Sequence, residues 1–287
     1  MSAIYKKELR GYLTSMIGYV FIFLLLILVG VYFTAYNIDG AYPELETALS
    51  AVTFVFLIAV PVLSMRILAE ERKQKTDQML LTAPVKIYEI VIGKYLALET
   101  IFLIPLIIIC FYPLIMGNYG SISYTSAYTG VFGFFLLGSA QLAVGVFLSA
   151  VTESQVIAAV LTFLVLFVSY VISGISSFIP DSASGSVFIL AVLIMILALV
   201  IYSMIQNGII SVIIGLVLEI ILFAAYFIKS SAFEGAVQDI LNVFDITAHY
   251  DNFTNGLFDI QGIVYFLSII GICLFLAIQS ISKRRWN

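Results

Sequence analysis

Residues 47–65 read TALSAVTFVFLIAVPVLSM, residues 66–94 read RILAEERKQKTDQMLLTAPVKIYEIVIGK, and residues 95–117 read YLALETIFLIPLIIICFYPLIMG. An apolar run is followed by a charged stretch and then by a second apolar run. Each apolar run is close to the roughly 20 residues that a helix needs to cross about 30 Å of hydrocarbon. A barrel strand would cross in about ten residues with alternating side chains, and no such alternation is present. Backbone polar groups in lipid must be paired within the segment, so these runs are read as helices.

Comparable runs occupy 17–36, 47–65, 96–117, 128–150, 156–179, 187–205, 209–228 and 262–281, which predicts eight spans. Composition agrees: 62% of the 287 residues are hydrophobic and 10% charged, against roughly a quarter charged in soluble domains. The expectation is an all-α polytopic membrane protein forming one domain over 1–287. The first run is too long and too late for a cleaved signal peptide and stays in the mature chain. Cys110 and Cys273 sit inside apolar runs and read as packing residues. A net charge of −4 argues against nucleic acid as a partner, and the expected surroundings are a lipid bilayer.

The cations give the orientation. Lys6, Lys7 and Arg10 precede the first span. Arg66, Arg72, Lys73, Lys75, Lys86 and Lys94 separate the second from the third, and Lys283, Arg284 and Arg285 follow the last. An even number of spans puts all three groups on one side, which the positive-inside rule makes the cytoplasm, with both termini. Asp39, Glu44, Glu46, Asp181, Glu234, Asp239, Asp245, Asp251 and Asp259 fall on the other side.

Two cytoplasmic segments stand out. At 1–16, Tyr5, Leu9, Tyr12, Leu13 and Met16 share a helical face, so this helix is predicted to lie along the inner interface. In 66–94, LAEERKQKTDQMLL lacks Gly and Pro and is predicted to extend the second span as a stiff helix from Glu70 to Leu81. Thr82, Ala83 and Pro84 then stop it, and VKIYEIVIGK reads as a short amphipathic helix closed by Gly93. Loops in helical bundles are usually 2–8 residues, so a segment this long and ordered reads as a docking element. There is no GxxxxGK[ST] and no soluble region large enough for a nucleotide domain, so any ATP chemistry belongs to a partner. No His, Cys or carboxylate pair has metal or catalytic spacing; His249 is the single histidine and reads as a capping or interface residue.

Taken together, YKKELRGYLTSMIGYVF, ILAEERKQKTDQMLLTAPVKIYEIVIGKYLA, FDITAHYDNFTNGLFDIQGIVYFLS and the terminal KRRW resemble the ABC-2 type permeases. Within them the chain is most similar to the gliding-motility-associated branch. The resemblance covers the first five spans and the last. It implies a bacterial inner-membrane permease subunit that binds no cofactor, with ATP and Mg held by an ABC ATPase dimer. It further implies a second membrane subunit, homomeric or heteromeric, and for the gliding branch a membrane protein with a large outer domain. On this resemblance 1–16 is a connecting helix, with Lys6, Lys7, Arg10 and Tyr12. The segment matching Thr82, Pro84, Val85, Lys86, Ile87, Tyr88, Glu89 and Ile90 is a coupling helix gripped by the ATPase. The pair at 187–228 departs from the six-span family pattern.

Within the membrane, Glu219 is a carboxylate in an apolar run and Gln141 belongs to a stripe with Gly138, Gly145 and Ser149. Both are candidate intramembrane polar sites, with helix packing as the simpler reading. The outer segment 230–261 is expected to lie on the outer interface. The expected function is a permease that couples ATP hydrolysis by separate ATPase subunits to export or to rearrangement of an outer partner. The alternatives are an ion-coupled secondary transporter and a mechanotransmitting scaffold that moves no solute.

Overall fold

The computed structural model describes residues 1–76, 85–205 and 208–286, and among these every regular element is helical. The chain forms two compact units, Met1–Tyr170 with Ile246–Asn287, and Val171–Asp245.

The first unit begins with α1 (Ser2–Thr14) and α2 (Met16–Tyr32), which runs on as a π-helix over Phe33–Asp39. The second span is assembled from α3 (Leu45–Val52), a 3-10 turn at Thr53–Val55 and α4 (Phe56–Ser64). After a turn comes the short α5 (Ala69–Lys73), then α6 (Ile87–Ile109) and α7 (Tyr112–Met116). The long α8 (Tyr124–Val151) and α9 (Gln155–Ser176) follow, α9 passing into the second unit at Val171. The unit closes with the short α13 (Asp251–Thr254) and α14 (Ile260–Trp286).

The central helix is α8, with 78% of its apolar stretch buried against 17–61% for the other spans. Its sequence explains this position, because it carries no charge and places glycines where neighbours come closest. A side chain at Gly138 would meet the Phe102 ring, one at Gly145 would come within 2.6 Å of Ser64 Cβ, and one at Gly133 within 2.5 Å of Phe253 Cβ. In a bilayer, where lipid is as apolar as leucine, close backbone approach at small residues is what holds helices together. The longest helix pairing in the unit is α14 along α8.

In the second unit α10 (Ala183–Ile205) packs along α11 (Gly208–Ile228). After α11 the chain bends by 119° into Ser230–Asn242, which includes α12 (Ala236–Asn242). The break falls at Lys229; beyond it Gly235, at φ +72, caps the start of α12 and donates its N–H to the Asp181 carbonyl at 3.1 Å. Gln238 Nε2 donates to the Ile179 carbonyl and to Asp181 Oδ1, both at 2.8 Å.

Two expectations change. Among the described residues six helices are long and apolar enough to cross a membrane, seven if the bent pair counts as one, not eight. The apolar part of α10 is described over Ala183–Leu199, short of a full crossing, and α11 is the first limb of the bent pair. Hydropathy detects apolar length and is blind to such bends. The second change concerns the charged stretch. Instead of a continuous helix from Glu70, α5 stops at Lys73, and the chain turns at Gln74–Thr76 with Lys75 at φ +57. The remainder to Leu81, with Thr82 and Pro84, lies outside the described residues. Beyond it α6 runs unbroken through Gly93, so Val85–Gly93 is not a separate transverse helix. Gly93 is needed for a close approach, since a side chain there would press on the Met1 carbonyl at 3.3 Å and on Ile4.

Candidate coupling site at the basic end

The turns and termini rich in Lys and Arg meet at one end of the first unit, and α1 is the element they hold. Its amphipathic pattern is only partly used. Tyr12 is buried and Tyr5 and Leu9 are half-buried, while Leu13 and Met16 are exposed. Tyr12 donates its hydroxyl to the Leu63 carbonyl at 2.9 Å, and the Arg66 guanidinium lies 5.3 Å over its ring. Burial raises the Tyr12 phenol above its ordinary range, so it stays a donor. Tyr5 reaches across to the Thr100 hydroxyl on α6 at 2.9 Å.

Around this contact lies a buried ion cluster. Lys94 on α6 has no exposed side-chain surface. Its ammonium donates to Glu8 Oε1 on α1 at 2.9 Å and to the Ile67 carbonyl at 2.7 Å, and it pairs with Glu71 Oε2 on α5 at 3.0 Å. Three donors therefore meet three acceptors from three segments, which is the condition under which a buried cation is tolerated. Lys7 adds a bond to Glu71 Oε1 at 2.9 Å, and Arg66 pairs with Glu70 at 3.0 Å. Partial burial pulls the Lys7 ammonium down, but Glu71 and Glu8 outweigh it and hold it above its ordinary 10.5. The pairs line a cleft of about 270 Å³ that also includes Gly11, Gln74 and Thr76.

A second set of bonds ties this cluster to the central helix. Ser149 Oγ accepts from the N–H groups of Leu68 and Ala69 at 3.2 and 3.1 Å and lies 3.1 Å from the Met65 carbonyl. Arg72, nearly buried, donates to the Ala150 carbonyl and to the Thr152 carbonyl at 2.8 Å. A cation at the last carbonyls of α8 also complements the negative end of its dipole. From α14, Ser280 donates to the Ala150 carbonyl at 3.1 Å and Arg284 to Glu153 at 3.0 Å. Displacing α1 or α5 therefore pulls on α6 through Lys94 and on α8 through Arg72 and Ser149.

At this same end the candidate docking residues separate. Lys86 and Tyr88 are exposed, with the Lys86 ammonium 5.7 Å over the Tyr88 ring. Val85, Ile87 and Glu89 are half-buried. The Glu89 carboxylate accepts from the Lys86 N–H at 3.3 Å, which caps α6. Ile90 is 3% exposed and packs inward, so it is not part of an outer apolar face. Lys6, Lys7 and Arg10 are exposed along α1. Gln141 is buried in α8, and Glu219 is half-buried on α11 in the second unit.

Glu8, Glu71 and Lys94 were not singled out by sequence reasoning as a group. A signal existed for Lys94: it falls in register with Ile90, Ala97, Leu98 and Ile101, a charge at a core position of α6. Its two carboxylates, remote in sequence, had no such signal.

At the opposite end Tyr250, fully buried, donates to the Gly130 carbonyl at 3.2 Å. His249 stacks on Tyr265 with centroids 3.6 Å apart. Asp259 accepts from Asn252 Nδ2 at 2.7 Å and from the Gln261 N–H at 2.8 Å, capping α14. The Asn252 bond, outweighing slight desolvation and helped by backbone N–H groups, holds the Asp259 carboxyl below its usual 3.8.

No curated protein matches the chain. A family model described as ABC-2 family transporter protein matches residues 2–282, taking in α1, the ion cluster and all six spans. The chain thus belongs to the ABC-2 transporter family, as a multi-pass membrane component of an ABC transporter.

Proposed function

We propose that this chain is the permease subunit of an ATP-driven ABC-2 exporter, working with a separate ABC ATPase dimer and a second membrane subunit. Its basic end faces the cytoplasm of a bacterial inner membrane, as the sorting of Lys and Arg supports. Its sequence motifs favour the gliding-motility-associated branch, whose relatives work with a membrane protein bearing a large outer domain. The chain supplies no catalytic group; ATP and Mg belong to the ATPase.

The observation that carries the reading is the Lys94 cluster. It joins α1, α5 and α6 at the end where Lys86 and Tyr88 are exposed. Lys86 and Tyr88 form the surface offered to the ATPase, with Val85 and Ile87 beside them. Because α6 is continuous from Ile87 to Ile109, a push at Tyr88 has no hinge to dissipate it and moves the span as a rod. The cluster carries the same displacement to α1.

The test is co-expression with an ABC ATPase from the same genome. The complex should purify intact, and the pair Lys86→Glu with Tyr88→Ala should weaken it at least tenfold while the membrane chain stays monodisperse. Undiminished association and ATPase stimulation in that double variant would refute the assignment.

A further inference from the structure

Glu99 on α6 takes no part in the coupling reading, yet it is a 6%-exposed carboxyl inside a membrane span. Its Oε2 accepts from Ser139 Oγ on α8 at 2.8 Å, and its Oε1 is buried with no hydrogen-bond partner. One turn earlier, Tyr95 donates its hydroxyl to the Ser139 carbonyl at 3.1 Å.

No cation answers this carboxyl among the described residues. Lys94 is committed to Glu8, Glu71 and the Ile67 carbonyl. The sequences of α2, α4 and α8 contain no charged residue. From α14 the group that faces Tyr95 is the Cys273 thiol, and from α1 the Tyr5 hydroxyl bonds to Thr100, the residue after Glu99. Gln141 is two positions past Ser139 and so on another side of α8. An ionised carboxyl in this setting would cost at least a few kcal/mol with nothing to offset it.

Ser139 gives its hydroxyl proton to Glu99 Oε2, and Tyr95 gives its own to the Ser139 carbonyl. Neither hydroxyl has a second proton to offer, so Glu99 Oε1 stays buried and unanswered. A proton on the carboxyl removes the charge that this setting penalises.

We propose that Glu99 is a proton-binding site in the membrane core. It is held as a neutral carboxylic acid, and the Ser139–Glu99 bond together with the Tyr95 bond to the Ser139 carbonyl fixes α6 to α8. This goes beyond the coupling reading and does not depend on it, since these bonds lie within one chain.

The test is infrared spectroscopy of the full chain in lipid nanodiscs at neutral pH. The wild-type minus Glu99→Gln difference should contain a carboxylic acid C=O band that shifts in D2O and on labelling with 13C-glutamate. Ser139→Ala should move that band, which keeps the test valid if the Gln variant folds poorly. Glu99→Gln, isosteric with the neutral acid, should keep its apparent thermal midpoint, and Glu99→Ala should lower it. A difference spectrum with only ionised carboxylate bands, or equal destabilisation by Gln and Ala, would overturn the proposal.

Discussion

Replacing Lys94 with Met removes a cation that is wholly buried while leaving both of its carboxylates in place. Taking one partner from a buried ion pair costs about 3–5 kcal/mol, mostly because the remaining charge stays buried and unpaired. Here Glu8 and Glu71 keep 15% and 14% of their side-chain surface in contact with solvent, and Lys7 remains beside both. The cost therefore falls to about 2–4 kcal/mol. In a unit of this size that is roughly 5–15 °C in the apparent midpoint, at about 2–4 °C per kcal/mol. The assay is thermal unfolding in detergent, followed by loss of the monodisperse peak. Adding Glu8→Gln and Glu71→Gln to Lys94→Met should recover more than half of the loss, because neutral isosteres remove the stranded charges together. Lys7 would then be left alone, but its side chain is 65% exposed and can be solvated. If Lys94→Met is neutral, or the triple variant is less stable than the single, the cluster is not a buried clasp and the reasoning fails.

Four further outcomes rest on other contacts. Tyr12→Phe should cost about 1–2 kcal/mol, since it withdraws the donor from the Leu63 carbonyl in a buried contact, and should loosen α1 first, seen as faster amide exchange there. Gly133→Ala should cost about 1–3 kcal/mol by overpacking, because the new methyl lands 2.5 Å from Phe253 Cβ, which a rotamer change cannot move; the readout is the same midpoint. The cap at Asp259 has the pH sign of a lowered carboxyl. Its stabilisation is complete above the usual 3.8 and is lost as pH falls through the lower folded value, so Gln261 amide protection should fall in that acid range and be pH-independent in Asp259→Asn. Lys7 has the opposite sign. Its raised folded value means its pairing with Glu71 is complete below 10.5 and is lost as pH rises through the higher folded value.

The short α5 has its N-terminus seated on Ser149, and its Arg72 closes α8. Each of these bonds crosses between segments about 80 residues apart in sequence.

The amino-acid sequence by itself determined that the chain crosses a membrane as helices, and that its cations gather at one end. Long apolar runs leave backbone amides no partners except their own, and cations are sorted by the membrane one segment at a time. The sequence also marked α8 as a close-packing helix through Gly138, Gln141, Gly145 and Ser149. What only the tertiary structure decided were the facts that depend on residues far apart in the chain meeting. Lys94 meets Glu8 and Glu71, Glu99 meets Ser139, and Gly93 admits α1 where a local reading ended a helix. The bend after α11 belongs with these, because hydropathy measures how apolar a segment is and carries no information on its direction.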